Sequence, residues 1–177
     1  HKISILPRGM ALGYTLQLPI EDKHLISSSE IEDTLKVLMG GRIAEELTFN
    51  EITSGASNDI EKATELARKY ICQFGMSTKL GTIKLGKTDS QVFLGKSYAD
   101  HSKDYSENTA SNIDNEIQAL IESSYKSAKV ILTRNKKKLI EISKELMECE
   151  VLTGEEFENL LTDKKKEVQK KEVQKKE

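Results

Sequence analysis

A mainly helical fold with a small β element is predicted for this chain by three observations. Only two prolines interrupt its 177 residues. Apolar residues recur at three- and four-residue spacing over long stretches. Two short alternating runs, 3–6 (Ile-Ser-Ile-Leu) and 14–18 (Tyr-Thr-Leu-Gln-Leu), stand apart at the start and read as strands. They flank a Pro7-Arg8-Gly9 turn and Gly13, and Pro19 ends the second. An isolated hairpin is marginal in water, so this β element is expected to lie beside helices.

A first helix is predicted from about Glu30 to Leu47. Ser27 to Ser29 offer N-caps, and Glu30 and Glu32 stand in capping-box range. Ile31, Leu35, Leu38 and Leu47 form its stripe. Gly40-Gly41 interrupts it, and each mid-helix glycine costs about 1 kcal/mol relative to Ala. Two adjacent glycines suggest either a closely approaching backbone or neutral looseness.

A small-residue loop, Ser54-Gly-Ala-Ser57, then runs into what reads as a well-capped helix from near Asn58 to Phe74. Ile60, Ala63, Ala67, Tyr70 or Ile71, and Phe74 share one face, and Gly75 is a natural stop just past the end. Residues 76–105 form a long connection with apolar clusters at Ile83–Leu85 and Val92–Leu94. A connection of that length is more often functional or mobile than inert.

Ser106 caps a long amphipathic helix reaching about Leu132, with Ala110, Ile113, Ile117, Leu120, Ile121, Ala128 and Leu132 on its apolar side. A helix over 136–149 carries Leu139, Ile142 and Leu146, and Thr153 with Glu156 caps a last short helix bearing Phe157, Leu160 and Leu161. Together these helices predict a C-terminal bundle. The tail 163–177 holds seven Lys against one Asp and three Glu, a net +3 that leaves −5 for the rest. Its few apolar groups cannot offset ordering entropy, so a disordered, solubilising end is expected.

The overall charge of −2, from 27 basic and 29 acidic residues, gives no general field for nucleic acid or membrane. Aromatic residues make up 5% and Trp is absent, which disfavours base-stacking platforms. No apolar run approaches the roughly 18 residues of a membrane span, and no signal peptide is visible. Cys72 and Cys149 lie in helical patterns without paired spacing, as free, buried thiols of a reducing compartment would. The chain opens at His1 directly into a strand pattern without a methionine, as an excised piece of a longer protein would.

Asp59, at the joint between the glycine loop and its helix, is the leading candidate for chemistry. It is either a carboxylate that complements the helix dipole or a metal ligand presented from a rigid helix start. Zinc needs three protein ligands and an open position, and one carboxylate cannot supply them. The chain has no His-x-x-x-His pair, and His1, His24 and His101 read as surface residues. Glu45 and Glu46 are either a solvated helix face or a carboxylate that orients a metal-bound histidine. The strand Tyr14, Thr15, Leu16, Gln17 and Leu18 is either half-buried structure or an open sheet edge on which an extended peptide adds.

Several segments recur in a characteristic order: Ile3-Ser-Ile-Leu-Pro-Arg-Gly9, Ala11-Leu-Gly-Tyr-Thr15, Gly40-Gly-Arg42 with Ala44-Glu-Glu46, Ser54-Gly-Ala-Ser-Asn-Asp59 with Ala63-Thr64, Val92-Phe-Leu-Gly95 and Tyr105-Ser-Glu107. Together they resemble the peptidase domain of the FtsH family, the membrane-anchored, ATP-dependent zinc metalloproteases, over residues 1–162. The resemblance implies a helical metalloprotease domain with Asp59 as the third zinc ligand, Glu45 as a supporting residue near the metal, and Tyr14 to Leu18 as the strand that pairs with substrate.

It further implies a homo-hexamer fed with unfolded or tagged polypeptides by an ATPase module using ATP and Mg2+, a role in protein quality control, and N-terminal membrane anchors. The peptidase domain would face the cytoplasm, or an organelle's matrix or stroma. The family's His-Glu-x-x-His helix, with two zinc ligands and the general base, is expected upstream of His1. This piece alone is therefore expected to be soluble and inactive. A non-catalytic ring-assembly module is the alternative.

Overall fold

The computed structural model describes residues 2–7, 13–16, 25–86 and 105–162. They fall into two compact bodies, one formed by residues 25–133 and the other by the two ends of the chain. Several expectations lie outside the described residues: Arg8 and Gly9 of the first turn, Gln17, Leu18 and Pro19, all three histidines, Val92–Gly95 and the tail 163–177.

The first body begins with α1, Ser28–Phe49. Its start is set by the expected capping box: Glu30 N donates to Ser27 Oγ at 3.2 Å, and Ser27 N donates to Glu30 Oε2 at 2.8 Å. Ile31, Leu35, Met39 and Ile43 are buried, a single row at four-residue spacing. Met39 and Ile43 complete the stripe, while Leu38 and Leu47 pack at its margin. Around Gly40 and Gly41 an added Cβ would meet no described atom within 4 Å. The close backbone approach expected there is therefore absent among the described residues, and the looser reading holds.

After α1 comes a single 3-10 turn, Ser54–Ala56, then α2, Ser57–Arg68, and a π turn, Lys69–Gln73. This stretch therefore differs from the uniform helix expected from the apolar spacing in two ways. The N-cap of α2 is Ala56, without a side-chain cap, because the capping chemistry sits one turn earlier at Thr53. The π turn also adds one residue to the helical repeat, so Ile71 and Cys72 both turn inward. Ile60 and Phe74, expected on the buried face, are instead 41% and 45% exposed.

Gly75 does stop the helix, at φ +60, and a Cβ there would meet Thr82 Cα at 3.2 Å. The described start of the connection is tied back to the core by Leu85 N donating to Cys72 O at 2.8 Å. Leu85 packs on the core, while Ile83 is exposed.

The long helix α3, Glu107–Arg134, closes this body with Ile113, Ile117 and Ala128 inward. Ser106 caps it as expected, accepting from Thr109 N at 3.3 Å. Fully buried Ala63 and Ala67 let α1 approach α2 closely, and the core of α1, α2 and α3 is continuous. Each large aliphatic side chain buried there contributes about 1.5–3 kcal/mol.

The second body contains β1, Lys2–Ser4, β2, Tyr14–Leu16, α4, Lys136–Cys149, β3, Val151–Thr153, and α5, Gly154–Leu161. The sheet order is β2-β1-β3, antiparallel throughout, with Ile3 opposite Thr15 on one side and Leu152 on the other. β3 is a third strand beyond the two that the sequence pattern predicts. Glu150, left-handed at φ 61, ends α4 and turns the chain into it. Thr153 and Glu156 form the expected capping box of α5, which buries Leu160. Cys149 is exposed, contrary to the expectation that both thiols are buried; only Cys72 is.

Candidate functional site

The segment leading to Asp59 is placed by a few hydrogen bonds. Asn50 adopts the left-handed conformation at φ 52 and its N–H donates to Glu46 O, which ends α1. Residues 51–55 are all exposed, so burial does not position them. Glu45 does. Thr53 N donates to Glu45 Oε2 at 3.2 Å, and Thr53 Oγ1 donates to Glu45 Oε1 at 2.9 Å. The same Oγ1 accepts from Gly55 N at 3.1 Å, closing the turn. A Cβ on Gly55 would lie 3.3 Å from Glu45 Oε1, so the absent side chain makes room for the carboxylate.

Ala56, 5% exposed, then buries the end of the turn, and α2 starts at once. Asp59 is the third residue of α2, half-buried in its first turn. There the unpaired N–H groups of a helix start favour a carboxylate by about 0.3–1 kcal/mol.

Glu46 points elsewhere. Its carboxylate accepts from the Tyr125 hydroxyl and from Lys129 Nζ at 2.7 Å, both on α3. The Lys129 ammonium also stands 5.7 Å from the centre of the Tyr125 ring. Lys129 foremost, then Tyr125, holds the Glu46 carboxyl below its ordinary range. The carboxylate in turn raises both Tyr125 and Lys129.

Thr53, Tyr125 and Lys129 were not singled out from the sequence. Thr53 two residues before a glycine is a hydroxyl-turn signature that would have found the first. Nothing local marks the other two. Between α2 and α3 runs a groove of about 520 Å³ lined by Ile117 and Ile121, with Arg68, Asp114 and Glu122 among its polar groups. That mixture of charges defines no ligand.

Among the described residues no three His, Cys, Asp or Glu side chains gather as a metal site. Asp59 is a single oxygen donor, and every histidine lies outside those residues. Tyr14, Thr15 and Leu16 form β2, an outer strand of its sheet.

A model of peptidase family M41 matches residues 1–160. The chain belongs to this family. It is 53% identical over 162 residues to the ATP-dependent zinc metalloprotease FtsH of Pseudothermotoga lettingae, covering 91% of this chain. It is 48% identical over 164 residues to the protein of the same name from Thermotoga maritima, covering 92% of this chain. A third relative, from Myxococcus xanthus, is 48% identical over 161 residues, covering 91% of this chain. The aligned part makes up only 26%, 27% and 25% of those relatives, so the chain spans about a quarter of their length. It is thus an FtsH-family peptidase domain segment, from a family of zinc metalloproteases. No helix among the described residues is long and apolar enough to cross a membrane.

Proposed function

We propose that this chain is part of a longer ATP-dependent zinc endopeptidase, in which Asp59 donates a carboxylate oxygen to the metal. The two imidazole ligands and the general base come from a His-Glu-x-x-His helix elsewhere in the full-length protein. The observation that carries the proposal is the clamp of Glu45 on Thr53, which leads a shaped turn into the first turn of α2 where Asp59 stands. A ligand set from backbone-ordered positions costs little reorganisation on binding. When bound, zinc polarises the scissile carbonyl and acidifies water.

The chain's own residues orient. Glu45 holds the loop, α2 holds Asp59, and the outer strand β2 offers its edge to an extended substrate, with main-chain hydrogen bonds giving affinity independent of sequence. Unfolded or tagged proteins fit that mode. In this reading the full-length protein forms a homo-hexamer with an ATPase module that uses ATP and Mg2+, is anchored in a membrane, and serves quality control; this segment alone hydrolyses no peptide.

The test is zinc content and casein cleavage of the full-length protein with and without Asp59→Ala. Loss of both supports the assignment, and unchanged zinc with unchanged cleavage ends it. A wild-type full-length protein that binds no zinc points instead to a non-catalytic ring-assembly module.

A further inference from the structure

In an antiparallel sheet the N–H and C=O of one residue point to one neighbouring strand, and those of the next residue point to the other. Two contacts fix this alternation in β1. Ile5 N donates to Glu150 O at 3.1 Å, one step beyond the pairing of Ser4 with Val151. Ile5 and, two residues back, Ile3 therefore turn their main-chain groups to the β3 side. On the other side, a Cβ built on Gly13 would lie 2.7 Å from Ser4 O, so the Ser4 carbonyl faces the chain that enters β2. Lys2 and Ser4 thus bond β2.

The register carries the alternation across. Lys2 stands opposite Leu16 and Ser4 opposite Tyr14, so Tyr14 and Leu16 turn their N–H and C=O inward to β1. Thr15, opposite Ile3, directs both groups outward, where no strand lies among the described residues. Thr15 is also exposed. An extended chain added at this edge exchanges two hydrogen bonds with Thr15, one in each direction. Its side chain at that position falls on the face of Ile3 and Leu152, and its two neighbours fall on the face of Tyr14 and Leu16.

We infer that Thr15 pairs with substrate through its main-chain N–H and C=O, and that the substrate residue opposite it must carry an N–H, which excludes proline there. This inference rests on the reading of β2 as the substrate edge of an endopeptidase. The residues on either side of the paired one point their own N–H groups away from β2, so proline is accepted at those positions. Selection then acts on the backbone of the substrate at alternate positions, whatever its side chains.

The experiment uses the full-length protein and has two arms. In the first, Thr15→Pro and Leu16→Pro are compared with wild type for the KM and kcat of casein cleavage, zinc content and melting temperature. Proline is tolerated on an edge strand where the lost N–H faced outward, and not where it served the ladder. Thr15→Pro therefore keeps zinc, kcat and melting temperature and raises KM by at least about tenfold, the upper end for one hydrogen bond. Leu16→Pro lowers the melting temperature. In the second arm, a short peptide N-methylated at one residue at a time competes with casein for the wild-type protein. Methylation weakens competition about tenfold at the residue opposite Thr15 and leaves it unchanged on either side. With Thr15→Pro the same scan is flat.

A wild-type KM in Thr15→Pro overturns the inference. So does a Thr15→Pro protein that melts as low as Leu16→Pro, and so does a wild-type scan without an intolerant position. In each of these cases casein cleavage by the wild-type protein leaves the endopeptidase reading standing. A wild-type protein that cleaves no casein brings down both.

Discussion

The Glu45 carboxylate engages Thr53 with both oxygens, one on its backbone N–H at 3.2 Å and one on its hydroxyl at 2.9 Å, across eight positions of sequence. The same hydroxyl closes the following turn on Gly55. One threonine side chain therefore joins the end of α1 to the start of the Asp59 segment.

Thr53→Val keeps the shape of the side chain and removes the hydroxyl. It should cost about 0.5–2 kcal/mol, the range for a lost cap, and should speed amide exchange at Gly55. Thr53→Ser should behave as wild type in both urea unfolding and exchange. Equal behaviour of Val and Ser would mean that the hydroxyl does not hold the turn.

The helical stretch from α2 through the π turn buries one isoleucine and leaves another at the surface. Ile71 is 1% exposed and Ile60 is 41% exposed. Ile71→Ala should destabilise by about 2–5 kcal/mol through cavity formation. Ile60→Ala should cost less than about 1 kcal/mol, as surface changes do. Equal urea midpoints for the two variants would put both isoleucines back on one buried face.

Gly75 combines a positive φ with backbone on its open side: Thr82 Cα at 3.2 Å and Ile83 N at 3.3 Å from a built Cβ. Gly75→Ala should cost at least about 1–2 kcal/mol, the left-handed penalty for an L-residue, measured as a lower urea midpoint at unchanged slope.

Glu116 supplies a pH dependence. Lys79 Nζ lies 2.6 Å from one oxygen, and Ser77 Oγ donates to the other at 2.9 Å. Lys79 foremost holds this carboxyl below the ordinary range, with Ser77 assisting and burial opposing. A lowered folded value means stability that is present above the unfolded pKa of about 4.3 and lost as pH falls through the folded one. Wild type should melt above Glu116→Gln by a constant margin at neutral pH, and the margin should shrink as the solution is acidified below about pH 4. A margin independent of pH would sink this account.

Much of this architecture is legible before any coordinates. The boxes at Ser27–Glu30 and Thr153–Glu156 mark their helix starts because both halves of each box are local in sequence. The stripes of α1 and α3 follow from spacing alone. What escaped were features without a local signal. β3 is three residues long and merges with the cap that follows it. The π turn contains neither Pro nor Gly, so a constant repeat carried Phe74 to the wrong face.

At the candidate site, the positions of Asp59 and Glu45 could be read from the motif. Tyr125 and Lys129, 79 and 83 positions beyond Glu46, could not, because only tertiary packing brings them to it.

The pairing of β1 with β3 has a consequence for biosynthesis. Lys2 lies opposite Thr153, so β1 gains its second neighbour only after the whole of residues 25–133 has been translated. Residues 25–133 form a compact body of their own and need not wait. A nascent chain stalled after Thr133 and before Val151 would hold one finished helical core and an unclosed ribbon edge, the kind of surface on which chains stick to one another.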